Sequence, residues 1–170
     1  MPISAHLQAV RAKVGHDLLT LTAASACVFD DSGRLLFVND AETGHWLLPG
    51  GAIDPDEIPA DAAVRECFEE TGLHVELQRL IGVFGGAEFR VTYPNGDMTY
   101  YTTIAFEARI IGGSHRADGV EVRDLRYFSQ AECERLSPSL TPASRVIAAC
   151  AFARSSSPCF APAVWSPQSD

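Results

Sequence analysis

No two of the five cysteines (27, 67, 133, 150 and 159) stand in a C-x-x-C pair, and their odd number does not complete a disulfide framework. Free thiols in a reducing compartment are the simpler expectation. Long apolar runs are also missing. The longest, Val146 to Ala153, is far too short for a bilayer. The start of the chain shows no charged segment followed by an apolar stretch, so no leader is expected and the protein is placed in the cytoplasm. Basic charge is in deficit, with a formal net charge of -9. That argues against a nucleic-acid binder, which needs a basic face for phosphates. It does not argue against an anionic small molecule, because bound cations can reverse a local field. No internal repeat is present.

The chain has 170 residues with 46% hydrophobic side chains, enough for one domain with its own core. Ser4 to Lys13 reads as a short amphipathic helix with Leu7, Val10 and Val14 on one side. Leu18 to Phe29 reads as a strand, Asp31-Ser32-Gly33 as a turn and Arg34 to Val38 as the return strand. A short extended piece, Trp46 to Leu48, enters Pro49-Gly50-Gly51. Pro59 suits the first turn of a helix that ends at Gly72. Val75 to Phe84 is a strand. Phe89 to Tyr93 and Met98 to Ile110 flank Asn95-Gly96, a hairpin signal. Leu125 to Phe128 is a further strand, Ser129 with Glu132 forms a capping box, and Thr141-Pro142 opens a last helix. Strands mixed with one strong helix and shorter terminal helices make an α+β chain.

The chemistry concentrates in Gly51 to Leu73, GAIDPDEIPADAAVRECFEETGL. On its helix, Ala60, Val64, Cys67, Phe68 and Thr71 form the face expected to be buried. Glu66, Glu69 and Glu70 fall on the other side. Carboxylates at this spacing repel one another, and the arrangement becomes favourable around a divalent cation with oxygen ligands. Alone, such a triplet also suits a solvated acidic face.

The surroundings add weight. Gly51, Glu57, Arg65, Glu66, Glu69, Glu70 and Gly72 match the seven fixed positions of G-x5-E-x7-R-E-U-x-E-E-x-G-U, where U is aliphatic. A chance match is on the order of 10⁻⁹ per starting point. The segment resembles the Nudix box, and the chain resembles the Nudix hydrolase family. Cys67 takes an aliphatic position as a small hydrophobe. Ile58, before Pro59, offers no side-chain cap.

The resemblance, sharp over Gly51–Leu73 and looser from Leu18 to Phe128, implies a Nudix-type α/β/α sandwich with a mixed β-sheet, and the domain is expected over residues 16–153. Outside the resemblance, periodicity makes residues 1–15 a preceding helix, and Ser/Pro-rich composition makes 154–170 a disordered tail. The resemblance implies a pyrophosphatase-type hydrolase that cleaves a phosphoanhydride in a nucleoside diphosphate linked to another moiety. Clean-up of non-standard nucleoside triphosphates, or nucleotide sensing without turnover, are the alternatives. Mg²⁺, with Mn²⁺ as substitute, would be held by Glu66, Glu69, Glu70 and the carbonyl of Gly50. Arg65 would orient the carboxylates, Glu57 would act behind them, and Glu66 is one candidate base.

A further acid is expected after the box. Glu121 and Glu107 compete, and Glu121, in a Gly-containing loop, is preferred. Arg90, Tyr93 and Tyr101 near the hairpin are candidate substrate contacts, although cross-strand packing would also explain them. The partner is a small nucleotide, with no nucleic acid and no membrane; a homodimer is left open.

Overall fold

The computed structural model describes residues 4–117, 119–161 and 163. Helix α1 (Ala5–Val14) precedes β1 (Leu19–Val28), β2 (Leu35–Asp40), β3 (Trp46–Leu47) and β4 (Gly50–Ala52). Helix α2 (Pro59–Thr71) leads into β5 (Leu73–Phe84), β6 (Arg90–Thr92), β7 (Met98–Gly113) and β8 (Val122–Phe128). Helices α3 (Gln130–Arg135) and α4 (Pro142–Phe152) follow. The mixed sheet places β1 between β4 and β7, antiparallel to the first and parallel to the second. Strands β5 and β6 both pair antiparallel with β7. A separate antiparallel sheet has the order β3-β2-β8.

The turn after β1 behaves as a hairpin only at its base, where Phe29 bridges Leu35. The expected return strand then leaves its neighbour and enters the second sheet. Burial on both faces explains the divergence. In β1, Cys27 faces the core that holds Ile147, Ala148 and Ala151 of α4, while Ala26 and Val28 face Cys67 of α2. In β2, Leu35 and Phe37 join the first core and Leu36 the second. Strands covered on both faces read as continuous apolar runs, which hides the choice of partner.

Capping follows the sequence closely. Ser4 and Thr141 accept N–H bonds at the starts of α1 and α4, and Ser129 with Glu132 completes the capping box of α3. Ile58 provides no side-chain cap for α2. Gly72 ends that helix at φ 71°, its N–H donating to Phe68 O at 2.8 Å.

The segment expected to be a loose tail is attached at several points: Cys159 N–H donates to Ile81 O at 2.7 Å on the edge of β5, Arg79 NH1 donates to Ser155 O at 2.8 Å, and Arg154 NH1 lies 3.3 Å from Glu107 Oε1. An open strand edge offers carbonyls that a passing backbone can satisfy. Residues 162 and 164–170 lie outside the described residues. Among the described residues, no helix is long and apolar enough to cross a membrane.

Candidate active site

The loop before α2 is built on β1. Ala26 N–H donates to Pro49 O at 2.9 Å and Ile53 N–H to Thr22 O at 3.0 Å. A Cβ on Gly50 would strike the carbonyl of Ala24 and the backbone of Ser25. On Gly51 it would lie 2.6 Å from the carboxyl carbon of Glu66. The two glycines let the loop lie against both β1 and the acidic face of α2.

The buried residues of α2 are Ala62, Ala63, Glu66, Cys67, Glu70 and Thr71. This corrects the expected face. Glu66 and Glu70 are buried, whereas Phe68 is 42% exposed and stacks on His74 at 4.7 Å. The helix is covered by β1 and β5 on one side and by β4 on another, so the covered arc is wider than its apolar residues alone suggest. Of the three box carboxylates, Glu69 is the solvent-facing one, with 44% of its side chain exposed.

Arg65 ties the acids together. Its Nε donates to Glu57 Oε1 at 2.7 Å and its NH2 to Glu57 Oε2 at 2.8 Å. Its NH1 donates to Glu66 Oε1 at 2.8 Å and to Glu69 Oε2 at 3.1 Å. Such a two-pronged carboxylate contact fixes direction as well as charge. Glu57 also accepts from Asp54 N–H at 3.1 Å, and Glu70 from Gly50 N–H at 3.0 Å. The bonds from Arg65 hold the Glu57 carboxyl below its ordinary range against partial burial. Glu66 goes the other way. Burial pushes it up to about 6, against the hydrogen bond and charge of Arg65, and the nearby Glu69 and Glu57 add to the rise.

Glu66 and Glu70 line a cleft of about 810 Å³ that also receives Gly50, Arg65, Tyr93, Tyr101 and Glu121. The structure therefore brings together most of the residues singled out in the sequence. The hydroxyls of Tyr93 and Tyr101 are paired, 2.8 Å apart. Arg90 does not reach the cleft wall; it is exposed on β6, opposite Tyr100. Glu107 is also elsewhere, with Oε2 2.7 Å from Arg79 NH2 and Oε1 3.3 Å from Arg154 NH1.

Sequence reasoning missed Arg11, Asp40 and Asp97, which also line the cleft. Asp40 Oδ1 accepts from the Thr43 N–H and hydroxyl, both at 2.6 Å, which fits a turn role. Among the described residues, no three His, Cys, Asp or Glu side chains converge as a closed metal cage. The donor set still suits a hard cation, which takes one or two carboxylates and keeps several waters. Gly51 leaves the Glu66 carboxylate room that a Cβ would fill.

A family model, the NUDIX domain, matches residues 19–149. A protein of Bacillus subtilis (strain 168), whose name provisionally makes it an 8-oxo-dGTP diphosphatase, is 36% identical over 106 residues, 62% of this chain and 64% of that protein. The human diphosphoinositol polyphosphate phosphohydrolase 3-alpha is 46% identical over 64 residues, 35% of this chain and 39% of that protein. The chain thus spans less than two thirds of the length of either relative. Among solved structures, a NUDIX hydrolase from Nitrosomonas europaea superposes with a TM-score of 0.65 at 21% identity, covering 79% of this chain and 90% of that one.

Proposed function

Because this chain belongs to the Nudix family, we propose that it is a metal-dependent pyrophosphohydrolase acting on a nucleoside diphosphate linked to another moiety. The observation that carries the reading is the pair of buried carboxylates, Glu66 and Glu70, facing a cleft beside two glycines that permit their approach. Buried carboxylates are costly unless something compensates their charge. Arg65 compensates in part, and a divalent cation with a bound polyphosphate would complete the balance.

Glu66, Glu69, Glu70 and the Gly50 carbonyl would hold Mg²⁺, for which Mn²⁺ would substitute. The bound ion would polarise the phosphoanhydride and offset the charge on the transferring phosphoryl. Arg65 would hold the carboxylates in fixed directions through its bonds to Glu57, Glu66 and Glu69. A water attacks one phosphorus. The bond from that phosphorus to the bridging oxygen breaks, so that the other phosphate leaves with its moiety, and a carboxylate accepts the proton of the water. Glu66, raised to about 6, is still mostly ionised at neutral pH and suited to that task. Glu121, distant from the box in sequence but lining the same cleft, is the alternative acceptor.

Hydrolysis of a non-standard nucleoside triphosphate is a second reading, favoured by the name of the Bacillus subtilis relative. It would use the same site. A purely ligand-sensing role sits poorly with a complete set of box acids. The test is a panel of nucleoside triphosphates and nucleoside-diphosphate sugars with Mg²⁺, products read by mass spectrometry. Release of a mononucleotide from a linked diphosphate supports the first reading, and release from modified triphosphates alone supports the second. Saturable binding without product would overturn both.

A further inference from the structure

Helix α1 lies before the region that the family model matches, yet Ser4, Leu7 and Arg11 line the same cleft as Glu66 and Glu70. No residue of the helix is buried, so apolar packing holds it only weakly. Its attachment is polar. Arg11 NH1 donates to Gly15 O at 3.2 Å and Asp17 O at 2.8 Å. Its NH2 donates to Met98 O at 2.8 Å and Thr99 Oγ1 at 2.9 Å. Asp97 adds Oδ2 at 3.6 Å from Arg11 Nε and Oδ1 at 2.7 Å from His16 Nδ1.

Arg11 is therefore committed to the chain itself. Its side chain is 10% exposed, and each of its nitrogens already faces an oxygen. Arg65, the other guanidinium lining the cleft, is engaged with Glu57, Glu66 and Glu69. Neither is arranged to receive a second phosphorylated group. The cleft lining offers instead the apolar surface of Leu7 and the paired hydroxyls of Tyr93 and Tyr101. Apolar walls with a few placed polar groups suit a flat, uncharged group with a polar edge.

We propose that α1 is the wall that receives the uncharged nucleoside half of the substrate. Leu7 touches that half, and Arg11 is a positioning residue that keeps the helix and the start of β7 in register. The assignment of the other half to the acidic site rests on the pyrophosphohydrolase reading. The consequence is a preference for nucleotides over substrates phosphorylated at both ends.

Two measurements on the full chain test this separately. The first needs no turnover: with chelator present, adenosine and guanosine are titrated into the labelled protein and amide shifts are followed. Shifts in α1 and residues 93–101, with binding weakened about tenfold by Leu7→Ala, are expected. The second compares ADP-ribose, dGTP and a diphosphoinositol polyphosphate with Mg²⁺. Leu7→Ala and Arg11→Ala should raise KM for the nucleotide that is turned over about tenfold, with kcat within about twofold. Arg11→Lys should not rescue, because an ammonium cannot reach four acceptors in one plane. Nucleosides that leave α1 unshifted overturn the proposal, as does equal turnover of the inositol compound. Nucleoside shifts on α1 without hydrolysis of any compound would uphold the wall and sink the hydrolase reading instead. If Arg11→Ala does not fold, Leu7→Ala, at a half-buried position, still decides the matter.

Discussion

A Cβ at Gly51 would stand 2.6 Å from both the carboxyl carbon and Oε1 of Glu66. The glycine and the carboxylate thus share one small space, and the loop can carry no larger residue without moving the acid. The obstacle is the end of a flexible side chain, so Gly51→Ala should fold but displace Glu66. Turnover should fall about 10- to 1,000-fold, as for a misplaced general base, with little change in Tm. Steady-state kinetics with a melting curve checks this. An unchanged kcat would mean that the position of Glu66 is unimportant.

Glu66→Gln and Glu70→Gln should each reduce kcat by about 10³-fold or more, while Glu69→Gln, at the solvent-facing position, should cost less. Circular dichroism should show all three folded. Removing a buried charge should raise the melting temperature of metal-free Glu66→Gln, because burial is the main reason that its carboxyl titrates high. Equal and small effects at the three positions would reduce them to an acidic surface.

Exhaustive chelation should abolish turnover, and Mg²⁺ or Mn²⁺ should restore it. Because the carboxylates form no closed cage among the described residues, the cation should bind more tightly with nucleotide than without. Calorimetric titration of Mn²⁺ with and without a non-hydrolysable nucleotide measures the difference. Full rate in the presence of chelator would remove the metal mechanism.

Glu121→Gln should lower kcat about 10- to 1,000-fold with KM little changed. Glu107→Gln should leave kcat alone and lower stability by about 1–3 kcal/mol, because Arg79 and Arg154 would lose their shared carboxylate. Parallel kinetics and denaturant titrations separate the two. A turnover defect confined to Glu107→Gln would reverse the assignment.

Docking of α1 should weaken in acid. The hydrogen bond with His16 holds the Asp97 carboxyl below its ordinary value of 3.8, with further help from Asn95 and Arg11. A depressed carboxyl means that the folded state binds fewer protons than the unfolded one. Its stabilisation is complete above pH 3.8 and is lost as pH falls through the lower folded value. The protection factors of the α1 amides, exchange rates divided by the intrinsic rate at each pH, should hold above that pH and fall below it, and Asp97→Asn should remove the step. Protection factors that do not change with pH in the native protein would disconnect Asp97 from the helix.

Much of the site could be read along the chain because it is local. Glu57, Arg65, Glu66, Glu69, Glu70 and Gly72 lie in one loop and one helix, where spacing alone sets who can meet. The same holds for the caps: Ser4, Ser129 and Thr141 bind N–H groups within three residues. What spacing could not settle was depth. The acidic side of α2 was expected to face away from the core, but β4 closes over Glu66 and Glu70, and a helix does not encode which of its sides a neighbouring segment will cover. The separation of β2 from β1 was hidden for a similar reason, since residues buried on both faces carry no alternation to mark a partner. Arg11, Tyr101 and Glu121 are far apart in sequence and meet at one cleft only after the parallel pairing of β1 with β7 sets the ends of those strands side by side. By itself the sequence determined the acids, their spacing and the family. Tertiary packing decided which acids are buried, that Arg90 and Glu107 stand aside, and that the first helix walls the cleft, because those depend on contacts between distant segments.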